Sequence, residues 1–243
     1  MNIVAVIPAR YKSSRYEGKP LADICGKPMI WWVYQEAKKV KQYNKVIVAT
    51  EDSRIVEVCL HYGIEVILTS DKHPTGTDRV AEVSRKISAD YYVVVMGDEP
   101  LITSKDQEQL ILATQNSTDA DAIMLTEKFI DPVDVVNSTT IKLAINDKNE
   151  LIFMSRSPIP YPKANLGYPF YKNVGCYALK KDVLEYFLHT KPGNIEKAED
   201  IELLRLLENR KKVKTVLINS YSMSVDTPKD LERIKKIIAE RID

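Results

Sequence analysis

The chain reads as an α/β protein: a Rossmann-like, doubly wound, mainly parallel sheet with helices on both faces and a β-rich insertion. Three observations predict this. Short apolar runs alternate with helical patterns through the first half of the chain. Runs such as Tyr91-Tyr92-Val93-Val94-Val95 are apolar without alternation, as expected of a strand covered on both faces in a parallel sheet. Loops rich in hydroxyls and charge follow the apolar runs, where open α/β sheets hold their ligands.

The elements follow in order. A first strand over residues 3–7 breaks into Pro8-Ala9-Arg10-Tyr11-Lys12-Ser13-Ser14-Arg15, then Gly18-Lys19-Pro20-Leu21. Four cations (Arg10, Lys12, Arg15, Lys19) and two serine hydroxyls in one loop suit a polyphosphate, because backbone N–H groups cradle anionic oxygens while Arg and Lys neutralise them. The loop is not a Walker loop, and G-x-G-x-x-G is absent. A helix over 28–41, a strand over 45–49, a helix over 53–61 and a strand over 65–68 come next. The loop Thr69 to Arg79 carries hydroxyls and Gly76, and it opens a helix over 78–88 whose N-terminus favours anions. Gly97-Asp98-Glu99-Pro100 follows the strand over 91–96. A carboxylate there is costly to desolvate unless it is paired or bound to a metal.

A helix over 105–116 and a strand over 122–126 complete the first half. Between 131 and 170 the rhythm changes. A β-like run over 140–145 precedes the turn Asn146-Asp147-Lys148-Asn149-Glu150, and residues 157–166 hold three of the twelve prolines, which keeps that stretch out of a helix. We read 131–170 as a β-rich insertion that lids one sheet edge within a single domain spanning 1–243. Helices over 180–188 and 195–209, a strand over 213–219 and a helix over 229–241 finish the chain. Thr227-Pro228 supplies an N-cap and a proline at the first helical position. Just before it, Asp226 is a second carboxylate at the end of an apolar segment. Two carboxylates from distant segments facing a phosphate-binding loop are what Mg²⁺ needs, since it takes one or two carboxylates plus phosphate oxygens and water.

Composition excludes other classes. A net charge of +1 gives no global reason to bind nucleic acid or an anionic membrane, and no apolar run approaches membrane-spanning length. Cys25, Cys59 and Cys176 form an odd, scattered set without C-x-x-C, which points to a reducing compartment and away from a disulfide framework or a zinc site. The cytoplasm is expected. His61, His73 and His189 have no evident chemical partner, and Cys176 reads as a packing residue.

These segments, in this order and spacing, resemble the CMP-3-deoxy-manno-octulosonate synthetase family of sugar-acid cytidylyltransferases. The resemblance is carried by IPARYKSSRYEGKPL, HPTGTDR, GDEPLI, SRSPIP, VGCYALK, EKAEDIELLR and SVDTPKDLERI, spanning residues 3 to 234. It implies a fold of the nucleotide-diphospho-sugar transferase type and a reaction joining CTP to a 2-keto-3-deoxy sugar acid, with release of pyrophosphate. It further implies that Arg10 and Lys19 hold the CTP phosphates with Arg15 as a helper, and that Asp98 and Asp226 bind Mg²⁺. These four, Arg10, Lys19, Asp98 and Asp226, are the expected catalytic set. Pro8, Ala9, Thr69, Thr75, Gly76, Arg79 and Gly97 would complete the nucleotide site. Arg156, Tyr177 and Glu202 match positions lining the sugar-acid pocket. A homodimer is implied, with 131–170 and the 195–209 helix as contributors, in a lipopolysaccharide, capsule or other glycan pathway.

The sugar half departs from the family pattern at three positions. Met96 stands where Gln is common, Asn173 where His is common, and Leu203 where Gln usually follows the pocket glutamate. A site built to hydrogen-bond hydroxyls discriminates by leaving polar groups unpaired when the hydroxyl is missing. The substitutions therefore leave open the same sugar acid, an amino-sugar analogue, a nonulosonic acid or a phosphonate as acceptor. A non-catalytic nucleotide-binding regulatory module is the reading of a different class.

Overall fold

The computed structural model describes residues 1–13, 16–164 and 167–242. From the N-terminus, β1 (Ile3–Pro8) is followed by the small hairpin of β2 (Asp23–Ile24) and β3 (Lys27–Pro28). Then come α1 (Met29–Lys38), β4 (Lys45–Thr50), α2 (Ser53–His61), β5 (Val66–Leu68), α3 (Gly76–Lys86), β6 (Tyr91–Val95) and α4 (Ser104–Asn116). The second half contains β7 (Ala122–Lys128), β8 (Lys142–Ile145), β9 (Leu151–Ser155), β10 (Tyr171–Lys180), α5 (Lys181–His189), α6 (Asn194–Glu199), α7 (Leu204–Glu208), β11 (Val213–Ile218) and α8 (Pro228–Ile242).

The main sheet has the order β11-β7-β10-β6-β1-β4-β5, with β8 and β9 attached at one end of β10. β1 pairs parallel with both β4 and β6, so the chain leaves β1 to one side and later returns to the other. The point between β1 and β6 is thus the topological switch of an open sheet, where a ligand crevice opens beyond the carboxyl ends of the strands. Both strands are buried along their whole length, as unbroken apolar runs require.

Two layers of helices cover the sheet. α1 buries Met29, Ile30, Val33, Tyr34 and Ala37, one stripe at helical spacing. On the other face Val80, Ala81 and Val83 of α3 pack with Val183, Leu184 and Phe187 of α5. A third cluster joins Ile24 and Met29 to Val225, Leu231, Ile234 and Ile238, which docks α8 against the N-terminal hairpin. No helix among the described residues is long and apolar enough to cross a membrane.

The structure departs from the sequence reading in three places, the first being the β2–β3 hairpin, which was not expected. Strand β10 was not expected, and it runs antiparallel to both β6 and β7; Asn173 and Gly175 interrupt its apolar run. The helix expected over 195–209 is two short helices, because Asp200 adopts the left-handed conformation with φ 53° and ends the first after Glu199. Within 131–170 the expected β character takes the form of the β8–β9 hairpin, antiparallel throughout and stitched to β10 through Tyr171 opposite Leu143 and Lys172 opposite Lys142.

Candidate active site

Two loops meet where β1 and β6 end. Gly97 lies against the first: a Cβ there would stand 2.9 Å from the carbonyl oxygen of Pro8, so only glycine lets the backbones approach this closely. Gly18 turns the chain back, with φ 70° and its N–H donating to Tyr11 O at 2.8 Å. A 3-10 turn, Lys19–Leu21, follows at once and fixes the root of the Lys19 side chain. From there Lys19 Nζ reaches Asp98 Oδ2 at 2.6 Å and Asp226 Oδ1 at 3.9 Å. The Asp226 segment is locked by the start of α8. Thr227 Oγ1 accepts from Asp230 N at 3.3 Å while Asp230 Oδ2 accepts from Thr227 N at 2.8 Å, a reciprocal cap.

Two clefts open from this centre. The smaller, about 100 Å³, is lined by Pro8, Ala9, Arg10, Lys19, Gly76 and Gly97 together with Lys12 and Ser13. Arg10 Nη1 donates to Pro74 O at 3.0 Å, bridging the β1 loop to the loop before α3. The larger, about 850 Å³, has Arg156, Asn173, Lys172, Tyr221 and Asp226 in its walls. Met96 and Asp98 line both. An acceptor in one and a triphosphate in the other would therefore meet at Asp98.

Arg156 is anchored by three backbone carbonyls, Glu199 O at 2.6 Å, Asp200 O at 3.0 Å and Ser138 O at 3.2 Å. A guanidinium has five N–H donors, so two remain for an anion. Asn173 donates its backbone N–H to Ile141 O at 3.0 Å, and its buried Oδ1 has no hydrogen-bond partner among the described residues.

Six of the expected site residues, Thr69, Thr75, Arg79, Tyr177, Glu202 and Leu203, line neither cleft. Arg79, 1% exposed, lies beneath the loop, pairing with Glu51 at 2.7 Å and bonding Thr69 Oγ1, which itself donates to Thr50 O. Both brace the loop from below. Tyr177 and Glu202 join Thr77 in one network: Thr77 N and Tyr177 OH donate to Glu202 at 3.0 and 2.7 Å. That network holds the N-terminus of α3. Burial, with the Glu202 charge adding to it, pushes the Tyr177 phenol up. Leu203 is 3% exposed among core residues of the α3 and α5 layer, so its aliphatic character is explained by packing. Thr75 is the N-cap of α3, its side chain accepting from Asp78 N. Arg15 lies outside the described residues, as does Ser14.

Other contributors escaped the sequence reading. Glu99 is buried, accepting from Ser222 Oγ at 2.6 Å and Gly175 N at 3.0 Å. Burial, with the adjacent Asp98 charge adding to it, pushes its carboxyl up to about 7 against the opposing hydrogen bonds. Lys142, fully buried, donates to Asn137 O and Thr140 O at 2.8 Å each and to Arg156 O. Burial lowers its pKa. A lysine inside an otherwise apolar strand was the available signal. Burial also raises the Cys176 thiol, which suits packing rather than nucleophilic chemistry. Among the described residues no three His, Cys, Asp or Glu side chains gather to hold a metal by themselves.

The chain is similar to known proteins along its length. A family profile described as Cytidylyltransferase matches residues 4–213. A 3-deoxy-manno-octulosonate cytidylyltransferase of Escherichia coli is 37% identical over 98% of this chain and 97% of its own. A mitochondrial protein of the same name from Arabidopsis thaliana is 35% identical over 98% of this chain and 84% of its own. A solved structure described as CMP:2-keto-3-deoxy-manno-octonic acid synthetase complexed with CTP superposes with a TM-score of 0.93 at 37% identity, covering 99% of this chain and all of that one. With a profile over most of its length and relatives matched nearly end to end, this chain belongs to the 3-deoxy-manno-octulosonate cytidylyltransferase family.

Proposed function

We propose that the chain transfers the cytidylyl group of CTP to the anomeric hydroxyl of 3-deoxy-manno-octulosonate or a close analogue, releasing pyrophosphate. The observation that carries this reading is the shared wall of the two clefts: Met96 and Asp98 border both. One cleft is lined by Arg10, Lys12 and Lys19, the other by Arg156 and Lys172. Each can thus receive an anion, and the two ligands would react across Asp98.

Arg10, Lys12 and Lys19 would neutralise the triphosphate, and Gly76 and Gly97 would let its backbone cradle approach. Arg156 would hold the acceptor carboxylate through its two remaining donors. The hydroxyl oxygen attacks the α-phosphorus in line, the bond to the β-bridging oxygen breaks, and pyrophosphate leaves with that electron pair. The hydroxyl proton passes to solvent. Little covalent work falls to the protein, so positioning and charge neutralisation carry the rate.

Asp98 and Asp226 are the residues that would hold Mg²⁺. Two carboxylates converging on one ammonium form a donor set that suits a hard cation completed by phosphate oxygens and water. When bound, the ion supplies charge neutralisation on the triphosphate and a lowered pKa at the attacking hydroxyl. Pyrophosphate release from CTP and the sugar acid, with and without Mg²⁺, tests the reading. Asp98→Ala and Asp226→Ala should each lower turnover by about a thousandfold or more; rates near wild type would end the metal assignment.

One observation favours an analogue as acceptor. Met96 puts a thioether, not an amide, on the wall between the clefts, so a hydroxyl pointing there would find only a weak acceptor and no donor. A panel of 3-deoxy-manno-octulosonate, its amino analogues, nonulosonic acids and phosphonates, ranked by kcat/KM, decides which acid is used. We further propose a homodimer through 131–170. The exposed apolar side chains of Ile130, Val133, Val136, Ile152 and Tyr161 in and beside that segment support it, and equilibrium sedimentation tests it. A cytoplasmic location is supported by three free, unpaired cysteines.

A further inference from the structure

Lys19 faces two tasks that it cannot perform together. It lines the small cleft with Arg10, Lys12 and Ser13, where a triphosphate would need its charge. Yet its ammonium is 2.6 Å from Asp98 and 3.9 Å from Asp226, in the place where a divalent ion would draw oxygens from both. All three side chains are largely shielded, with 14% of Lys19, 23% of Asp98 and 14% of Asp226 exposed. Solvent therefore screens their interaction less than it would at an open surface.

We propose that Lys19 is a resident counter-cation that keeps the aspartate pair closed to a free divalent ion until a triphosphate withdraws it, so that metal and nucleotide enter as one unit. The inference rests on the reading that Asp98 and Asp226 hold the metal. Its physical basis is competition. With Lys19 in place a free divalent ion meets a pair already partly neutralised, and it must also approach a positive charge at contact distance. A triphosphate brings several negative charges into the small cleft and offers the ammonium a stronger partner. The 3-10 turn holds the Lys19 backbone in place, while its four-carbon stem lets Nζ move between the two sets of oxygens. Once the ammonium has moved, the carboxylates regain their full charge beside phosphate oxygens able to complete a coordination shell. Free metal would thus be refused and nucleotide-bound metal accepted by the same two aspartates.

The experiment is Mn²⁺ binding, followed by the loss of the free-ion paramagnetic resonance signal, with and without CTP and with no acceptor present. Wild type should bind Mn²⁺ alone weakly and at least tenfold more tightly with CTP. Lys19→Met and Lys19→Gln should bind Mn²⁺ alone at least tenfold more tightly than wild type. They should also gain melting temperature with Mn²⁺ where wild type does not, and bind CTP more weakly. Adding Asp226→Asn to Lys19→Met should erase the gain. Circular dichroism of both variants identifies one that fails to fold, and the other then carries the comparison. If the folded variants bind Mn²⁺ no better than wild type while wild type still binds it with CTP, the counter-cation role is overturned and the metal site stands. If wild type binds no Mn²⁺ even with CTP, the metal site itself is lost, and this inference with it.

Discussion

The backbone N–H of Val225 donates to the carbonyl oxygen of Asp98 at 2.8 Å. This one bond couples segments more than a hundred residues apart and sets the spacing of Asp98 and Asp226. Val225 is fully buried with Leu231 and Ile234 of α8, so the C-terminal helix is part of the scaffold that presents the second carboxylate.

The close approach at Gly97 is testable by one methyl group. In Gly97→Ala the new Cβ would lie 2.9 Å from Pro8 O and 3.4 Å from Ile30 Cδ1. A backbone oxygen cannot swing aside, so a loss of about 1–3 kcal/mol in urea unfolding is expected. Turnover should fall further, because both site loops must part. A variant as stable as wild type would show that the loops have slack.

Lys142 is expected to position the acceptor wall. Lys142→Met would take the ammonium donor from three partly buried carbonyls, including that of Arg156, at up to about 1–3 kcal/mol for each group that water does not reach. Because these groups border the larger cleft, KM for the sugar acid should rise several-fold more than KM for CTP. Equal increases would indicate general loosening instead.

Arg205 should be among the costliest residues to remove. It is almost fully buried, holding Glu196 through Nε at 2.8 Å and Nη2 at 2.5 Å, and Asp78 through Nη1 at 3.1 Å. Arg205→Leu leaves two buried carboxylates unpaired, for a loss of about 3–5 kcal/mol. Asp78 lies in the first turn of α3, so calorimetry should also find weaker CTP binding. A stability change under about 1 kcal/mol would contradict this account.

Glu99 gives the stability a pH dependence of definite sign. Its carboxyl is raised from an ordinary 4.5 to about 7 by burial, so the native state holds a proton that the unfolded chain has released across that window. Its contribution is full below about pH 4.5 and is lost as pH rises through 7, to an extent of about 3 kcal/mol at most. Glu99→Gln, which mimics the protonated form, should flatten that decline in urea melts at pH 5 and 7.5. An unchanged slope would remove Glu99 as its source.

Much of the fold was legible locally. The strands at β1, β4, β6 and β7 are apolar runs, α2 matches its expected bounds 53–61, and the Thr227-Pro228 start of α8 is a capping signal. Strand β10 was not, because Asn173 and Gly175 interrupt its pattern; Gly175 is there since a Cβ would fall 2.8–2.9 Å from Glu99 and Met96, a long-range demand. The break at Asp200 has the same character. Its left-handed turn is followed by Glu202 and Leu203, one at the N-terminus of α3 and one in the core.

By itself the sequence determined most element types, the doubly wound α/β class and the chemistry of the loops that carry Arg10, Lys19, Asp98 and Asp226, because periodicity, caps and residue type act over a few neighbours. Only the tertiary structure decided which side chains face a cleft. Met96, Arg156 and Asn173 do, whereas Arg79, Tyr177, Glu202 and Leu203 brace what lies behind it. The physical reason is that a side chain's partner is set by what packs against it, and for Lys19 those partners are carboxylates 79 residues away and farther still.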